Sequence, residues 1–279
     1  MTGRYDYVTV GHVTLDLIED RPGGTVAQPG GGAFYSALQA ARLGLRTLIV
    51  TQGVPAQIEE MLSPYATELD LYVIRAPHTT TLVTNGSGSA RSQRVTAWAG
   101  PILEPLEPRT SILHLAAAAR ETPNLWRGEA EFVGLTPQGL VRRWQPSQTI
   151  SLVALDPTRL PPRFHAAVIG ERERECCDAL FQAARRNGAP VAVTAGPEPT
   201  TIYAGGCETA PQAVVPPTAT VREDLGAGDV FAAAFFLALL EGMPPTDSAA
   251  FGNAAAAIRV AGSSAEAIGR RGEIEAALG

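Results

Sequence analysis

Residues 223–229 read Glu223-Asp224-Leu225-Gly226-Ala227-Gly228-Asp229 and run straight into the apolar stretch Val230–Leu240. Small residues at Gly226, Ala227 and Gly228 let backbone N–H groups approach a ligand closely. The spacing predicts a helix over Gly228–Glu241, whose amino end points unpaired N–H groups and a positive dipole end at the same spot. Such an end holds negative charge, and phosphoryl transfer develops negative charge on equatorial oxygens. Asp229, in the first turn, puts a carboxylate beside that anion pocket. A carboxylate there repels a bound phosphate unless it serves a purpose, and taking a proton from a substrate hydroxyl is such a purpose. In isolation the four residues are more simply a glycine-rich loop with Asp229 as a helix cap. They are not isolated.

Outward from this stretch the chain alternates short β-rich runs with helical ones. Tyr7–Gly11 and Leu15–Ile18 read as strands, Pro29-Gly30-Gly31-Gly32 as a turn, and Ala33–Leu43 as a helix closed by Gly44. Strands follow at Arg46–Thr51, Ser111–Leu115, Phe132–Leu135, Ile150–Leu155, Ala166–Ile169 and Val191–Thr194, with a helix over Arg172–Asn187. The last third is helical, at Gly228–Glu241, Ser248–Ala261 and Gly272–Leu278. Short connections between such elements indicate βαβ units and a largely parallel sheet. Between Leu69 and Ala99 the rhythm changes. Leu71–Ile74, Thr79–Thr84 and Arg94–Trp98 are separated by Pro77 and by Asn85-Gly86-Ser87-Gly88, which is antiparallel hairpin chemistry. These segments are expected to form a small β appendage on the main domain.

Composition removes several functions. The 279 residues are 45% hydrophobic and 18% charged, within the range of ordinary globular chains, and carry a net charge of −6. Without a basic stripe, no nucleic-acid partner is expected. The longest apolar run, Val230–Leu240, is about half of the ~20 residues a membrane span needs, and the amino terminus carries Asp6 and Asp16 where a signal peptide needs an apolar core. The expected location is cytoplasmic, with no membrane partner. Cys176, Cys177 and Cys207 form neither a disulfide framework nor a zinc pattern, and His12, His78, His114 and His165 are scattered. The pairs Arg142-Arg143, Arg185-Arg186 and Arg270-Arg271 read as solvated helix faces. All 22 basic residues are arginine. A Walker A loop, a protein-kinase site and a Schiff-base or pyridoxal enzyme each rely on lysine, so those classes are excluded. A dinucleotide oxidoreductase is excluded too, since no G-x-G-x-x-G follows the first strand.

With these residues in place the chain resembles the ribokinase-like (PfkB-type) carbohydrate kinases, as a divergent branch. The family's closing signature D-T-x-G-A-G-D-x-F is met by E-D-L-G-A-G-D-V-F at 223–231. Gly11-His12-Val13-Thr14-Leu15-Asp16 keeps the family's glycine and its aspartate five residues later. Pro29-Gly30-Gly31 and the helix ending Ala41-Arg42-Leu43-Gly44 match its G-G turn and A-x-R-L-G helix. Val193-Thr194-Ala195-Gly196 stands where the family has T-x-G, Asn253-Ala254-Ala255-Ala256 resembles its nucleotide-side helix, and Glu173 falls on the glutamate of its N-x-x-E magnesium motif.

The resemblance implies a three-layer α/β domain over residues 1–279, with a largely parallel central sheet and a β-sheet lid formed by about 12–28 and 70–100. It implies ATP-dependent, Mg2+-assisted phosphorylation of a hydroxyl on a small sugar or polyol. Asp229 would be the base and Gly226, Ala227 and Gly228 the anion hole. Asp16, Thr14, Gly30, Gly31 and Tyr35 would contact the acceptor, Thr194, Gly196 and Asn253 would lie along ATP, and Glu173 would act indirectly on Mg2+. A monovalent cation, as an accessory ion, and a homodimer through edge strands of the lid are further expectations. Glu223, Asp224-Leu225 and Gly170 depart from the family pattern on the phosphate and metal side, and Thr14 and Tyr35 on the acceptor side. Glu173 is thus either the metal-side residue or one more solvated glutamate of the run E-R-E-R-E. Gln93-Arg94 and Phe132–Arg142 resemble branches near inositol and other cyclitol kinases. Arg94 and Arg120 are candidates to offset phosphate charge but read more simply as surface or structural arginines, and Gln138 as a buried hydrogen-bonding side chain. A nucleoside kinase and a non-catalytic sugar-binding or regulatory protein remain the alternatives.

Overall fold

The β-rich runs of the sequence build two sheets of unequal size. The computed structural model describes residues 4–19, 24–104, 107, 109–122, 128–146, 148–204 and 210–278; Cys207 lies outside them. In chain order the elements are β1 (Tyr5–Val10), β2 (Thr14–Ile18), β3 (Val26–Gly30), α1 (Gly32–Arg42), β4 (Thr47–Gly53), α2 (Pro55–Leu62), β5 (Asp70–Arg75), β6 (Thr81–Asn85) and β7 (Ser92–Ala97). Then come β8 (Arg109–Ala116), β9 (Glu129–Thr136), β10 (Arg142–Arg143), β11 (Ser151–Leu152), β12 (Ala166–Gly170), α3 (Asp178–Asn187), β13 (Val191–Ala195), β14 (Glu198–Tyr203), β15 (Gln212–Val214), α4 (Ala227–Leu240), α5 (Pro245–Val260) and α6 (Arg271–Leu278).

The main sheet runs β15-β14-β13-β12-β9-β8-β1-β4-β5 and is parallel from β13 to β5, with an antiparallel hairpin at the other edge. Its central strands are buried on both faces, which is why they read as continuous apolar runs. Tyr7, Ile49, Ile112, Val168 and Ala192 point to the layer of α1, α4 and α5. Val8, Val50, Leu113, Ile169 and Val193 point to a second core closed by α3 and irregular segments. The result is a three-layer α/β domain. Helix α4 lies within the first core, with every residue from Val230 to Ala238 buried, as an apolar helix must. Phe236 fits over Gly134, where a Cβ would stand 2.4 Å from its ring.

The second sheet, β3-β2-β6-β7, combines antiparallel pairs with the parallel pair β2–β6. The predicted β6–β7 hairpin is present, but three expectations change. Leu71–Ile74 belongs to β5 at the edge of the main sheet, not to the appendage: its four residues are uniformly half-buried, which suits either sheet's edge. Of Ile150–Leu155 only Ser151–Leu152 is paired, with β10 and outside the main sheet. The helix expected over Arg172–Asn187 starts as a 3-10 turn, Glu171–Cys176, and becomes α-helical only at Asp178. Among the described residues no helix is long and apolar enough to cross a membrane.

Candidate active site

The carboxyl ends of parallel strands open into a shared crevice, the usual ligand position of an open α/β sheet. Here Thr136 closes β9, Ile169-Gly170 close β12 and Thr194 lies near the end of β13, and all line a cavity of about 140 Å3. Two helices start at its floor. Gly226 caps α4 at φ 76°, and Gly31 caps α1 at φ 90°. Both positions favour glycine by conformation and by contact, since a Cβ on Gly226 would stand 2.2 Å from the Tyr35 ring and one on Gly31 2.2 Å from the His12 carbonyl oxygen. Asp229 sits in the first turn of α4 with its carboxylate against the first residue of α1, where a Cβ on Gly32 would lie 2.8 Å from its Oδ1. Burial pushes the Asp229 carboxyl up to about 7. Arg142 opposes that shift, while Glu173 and Asp16 add to it.

The second carboxylate of the cavity, Asp16, stands on β2. Its Oδ1 accepts a hydrogen bond from the Thr14 hydroxyl at 2.6 Å, and its carboxylate packs on Gly30, where any Cβ would collide at 2.2 Å. Burial raises Asp16 to about 6, against Thr14, Arg142 and Arg91. Thr14 and Gly30 thus shape Asp16 from behind, whereas Asp16, Gly31, Tyr35, Gly226, Gly228, Asp229, Thr194 and Glu173 line the cavity together. Ala227, Gly196 and Asn253 do not line it. The Asn253 carboxamide accepts from Thr200 (2.8 Å) and donates to the Val214 carbonyl (3.1 Å), so it ties α5 to the β14–β15 hairpin.

Glu173 is not a solvated residue of its run. It is 8% exposed, and its carboxylate accepts from Gln138 Nε2 at 3.3 Å while its other oxygen fills the space a Cβ on Gly170 would need. Among the described residues no three His, Cys, Asp or Glu side chains form a metal cluster. Mg2+ fits without one, because it keeps its waters and rests on one or two carboxylates and substrate phosphates.

Arg142 was not legible as a site residue. Expected on a solvated helix face, it lies on β10, 9% exposed, and its guanidinium reaches the cavity. It donates to the Ala118 carbonyl (2.8 Å), Gln93 Oε1 (2.9 Å) and Gln138 Oε1 (2.9 Å). Gln138 is exposed to the cavity, not buried. The other cation in the wall, Arg91, pairs with Asp224, which also accepts from the Gly88 N–H at 2.9 Å. The departure at Asp224 therefore fastens the β6–β7 loop to the glycine-rich loop. That at Glu223 creates a fully buried ion pair with Arg259 of α5 (2.7 Å), whose guanidinium lies over the Tyr35 ring at 5.4 Å. Arg94 pairs instead with Glu19 at the sheet's edge, and Arg120 lines a separate cavity with Trp98, Pro101, Trp144 and Arg159.

Residues 165–268 match the model of the pfkB family carbohydrate kinases. No curated protein matches the chain. Solved structures share its fold over nearly the whole length. A pyrophosphate-dependent kinase in the ribokinase family, complexed with a pyrophosphate analog and myo-inositol, is 17% identical with a TM-score of 0.75, covering 97% of this chain and 99% of that one. Arabidopsis thaliana ribokinase, complexed with ribose and ATP, is 18% identical at a TM-score of 0.71, covering 99% of both chains. Methanocaldococcus jannaschii nucleoside kinase is 16% identical at 0.66, covering 98% of both. The chain thus resembles ribokinase-like, PfkB-type kinases in its entire fold and, over residues 165–268, in sequence.

Proposed function

We propose that this ribokinase-fold chain is a kinase that transfers the terminal phosphoryl group of ATP to a hydroxyl of a small sugar or cyclitol. The observation that carries the reading is the Asp229 carboxylate, held at the amino end of α4 beside Gly226-Ala227-Gly228 and raised to about 7 in a cavity that also contains Asp16. A base near the working pH combines the right protonation state with enough affinity for the hydroxyl proton.

Asp16, Gly31 and Tyr35 orient the acceptor, with Thr14 fixing the Asp16 carboxylate. Asp229 takes the hydroxyl proton as that oxygen attacks the terminal phosphorus. The bond from that phosphorus to the bridging oxygen breaks, and its electron pair stays on the oxygen of the departing ADP. Backbone N–H groups at Gly226–Gly228 stabilise the equatorial oxygens. Arg142 and Arg91 offset donor charge where other kinases use lysine. Thr194, with the Gly196 turn beyond it, stands on the donor side. Glu173 would hold the water shell of Mg2+ on the donor phosphates, where the ion neutralises charge. The second sheet supplies Asp16, Leu82 and Gln93 to the cavity wall and serves as the lid that excludes water.

The small cavity and its polar wall favour a polyol over a nucleoside. Inorganic pyrophosphate is a second candidate donor. Asn253, expected along ATP, is engaged in the β14–β15 hairpin instead, and the structural neighbour with myo-inositol is pyrophosphate-dependent. The test is product release from ATP or pyrophosphate with Mg2+ against sugars, cyclitols and nucleosides, with Asp229→Asn alongside. Turnover that the variant abolishes is expected with one acceptor class. Ligand binding without turnover for any pair would favour the binding-protein alternative.

A further inference from the structure

Arg142 joins parts of the molecule that are far apart in sequence. One nitrogen of its guanidinium is held by the main domain through the Ala118 carbonyl. The other bridges Gln93 on β7 of the second sheet and Gln138 of the 3-10 turn that follows β9. Gln138 in turn donates to Glu173. The side chain is nearly inaccessible, and its three acceptors are neutral oxygens, so hydrogen bonding leaves its charge uncompensated by any direct ion pair among the described residues. The carboxylates it faces are Glu173, Asp16 and Asp229 of the cavity and, outside the cavity, the buried Glu121, which is held by the Ala118 and Ala119 N–H groups.

We propose that Arg142 is a positioning residue that tunes the basicity of Asp229 and makes it depend on the seating of the second sheet, through Gln93. The proposal rests on the kinase reading for its consequence but not for its measurement. A buried cation held within the same small cavity stabilises the ionised carboxylate, and its field is strong there because little water screens it. Its position is set partly by a side chain of the four-stranded sheet. Displacement of that sheet therefore loosens the cation and weakens the support of the ionised base. The groups facing Asp229 are Arg142 on β10, Glu173 on the 3-10 turn, Asp16 on β2 and Tyr7 on β1. Arg91, Asp224 and Tyr35 line the rest of the cavity. Of the two cations in the cavity wall, Arg91 pairs directly with Asp224, whereas Arg142 is hydrogen-bonded to neutral oxygens and has Glu121 as a further neighbouring carboxylate.

The test is a pH titration of aspartate 13Cγ resonances in the full chain, with the Asp229 signal assigned by its loss in Asp229→Asn. The wild-type midpoint is expected near 7. Arg142→Gln, which keeps a hydrogen-bonding head but no charge, is expected to raise the midpoint by about one unit or more. Gln93→Leu keeps the charge and frees it from the second sheet, so a smaller shift in the same direction is expected. It also serves if Arg142→Gln does not fold. In turnover, the acid limb of the pH profile should move with the resonance. A midpoint unchanged in both variants would reduce Arg142 to a strut and overturn the proposal, even if melting temperatures fall. Absence of turnover in the wild type with every donor and acceptor would overturn the kinase reading alone, because the resonance reports Asp229 without catalysis.

Discussion

The amino end of α4 and the wall opposite it enclose one cavity by contrary means. The α4 side is contiguous in sequence: Gly226 and Gly228 line the cavity at the helix's amino end, and Asp229 follows within the same turn. The facing wall is made of side chains, with Asp16, Gln93, Gln138, Arg142 and Glu173 arriving from separate elements. A site built from backbone needs particular small residues at particular places and tolerates no exchange. A site built from side chains needs only that some donor reach the spot, so the same spot can be supplied from many positions.

The contrast can be tested from either wall. Asp229→Asn should lower phosphoryl transfer by about 10²- to 10⁴-fold in kcat without loss of melting temperature, since it removes a buried charge. Retained turnover would return Asp229 to a helix cap. Arg259→Met should be the largest lesion to stability, about 3–5 kcal/mol in urea denaturation, because it strands Glu223 without its buried cation. Adding Glu223→Leu should recover part of that loss. Gly226→Ala forces a left-handed position and drives a methyl toward Tyr35. About 10²-fold lower turnover is expected, with about 1–3 kcal/mol lost from stability. Equal activity in Gly226→Ala would refute a main-chain anion hole.

The carboxylates also leave a pH signature. Asp16 and Asp229 titrate at about 6 and about 7 in the fold, above their ordinary value of about 3.9 when unfolded. The folded protein therefore binds more protons between those limits, and these two groups make stability fall as pH rises from about 4 to 7. Thermal unfolding of Asp229→Asn should show a shallower fall than the wild type across that window. The smallest effect belongs to Arg94→Ala, which breaks a half-exposed pair with Glu19. A change of at most about 1 kcal/mol is expected, with turnover unaltered.

This division explains what the sequence disclosed. The parallel strands were legible because burial on both faces leaves unbroken apolar runs, and Asp229 because glycines frame it. Helix α2 was missed because it turns only Ile58 and Leu62 inward, too few to mark a period. The β14–β15 hairpin was missed because only Thr200 and Ile202 of β14 are buried, one of them polar, and β15 is three residues long and mostly exposed. Arg142 gave no local signal at all. Its two-residue strand has no period, and its burial comes from partners 49 and 24 positions away. Arg94 and Arg120, the arginines singled out from sequence, proved to stand elsewhere.

The missing side chain at Gly170 makes two positions dependent on one another. The inward rotamer of Glu173 occupies the volume of a β-carbon at 170, with 2.5 Å between them. Installing the asparagine that the N-x-x-E pattern carries at that place would therefore not restore the motif in one step. It would swing the glutamate out of the cavity and detach it from Gln138. The glutamate at 173 is common to this chain and to the pattern, so the single difference at 170 decides which way that shared carboxylate points.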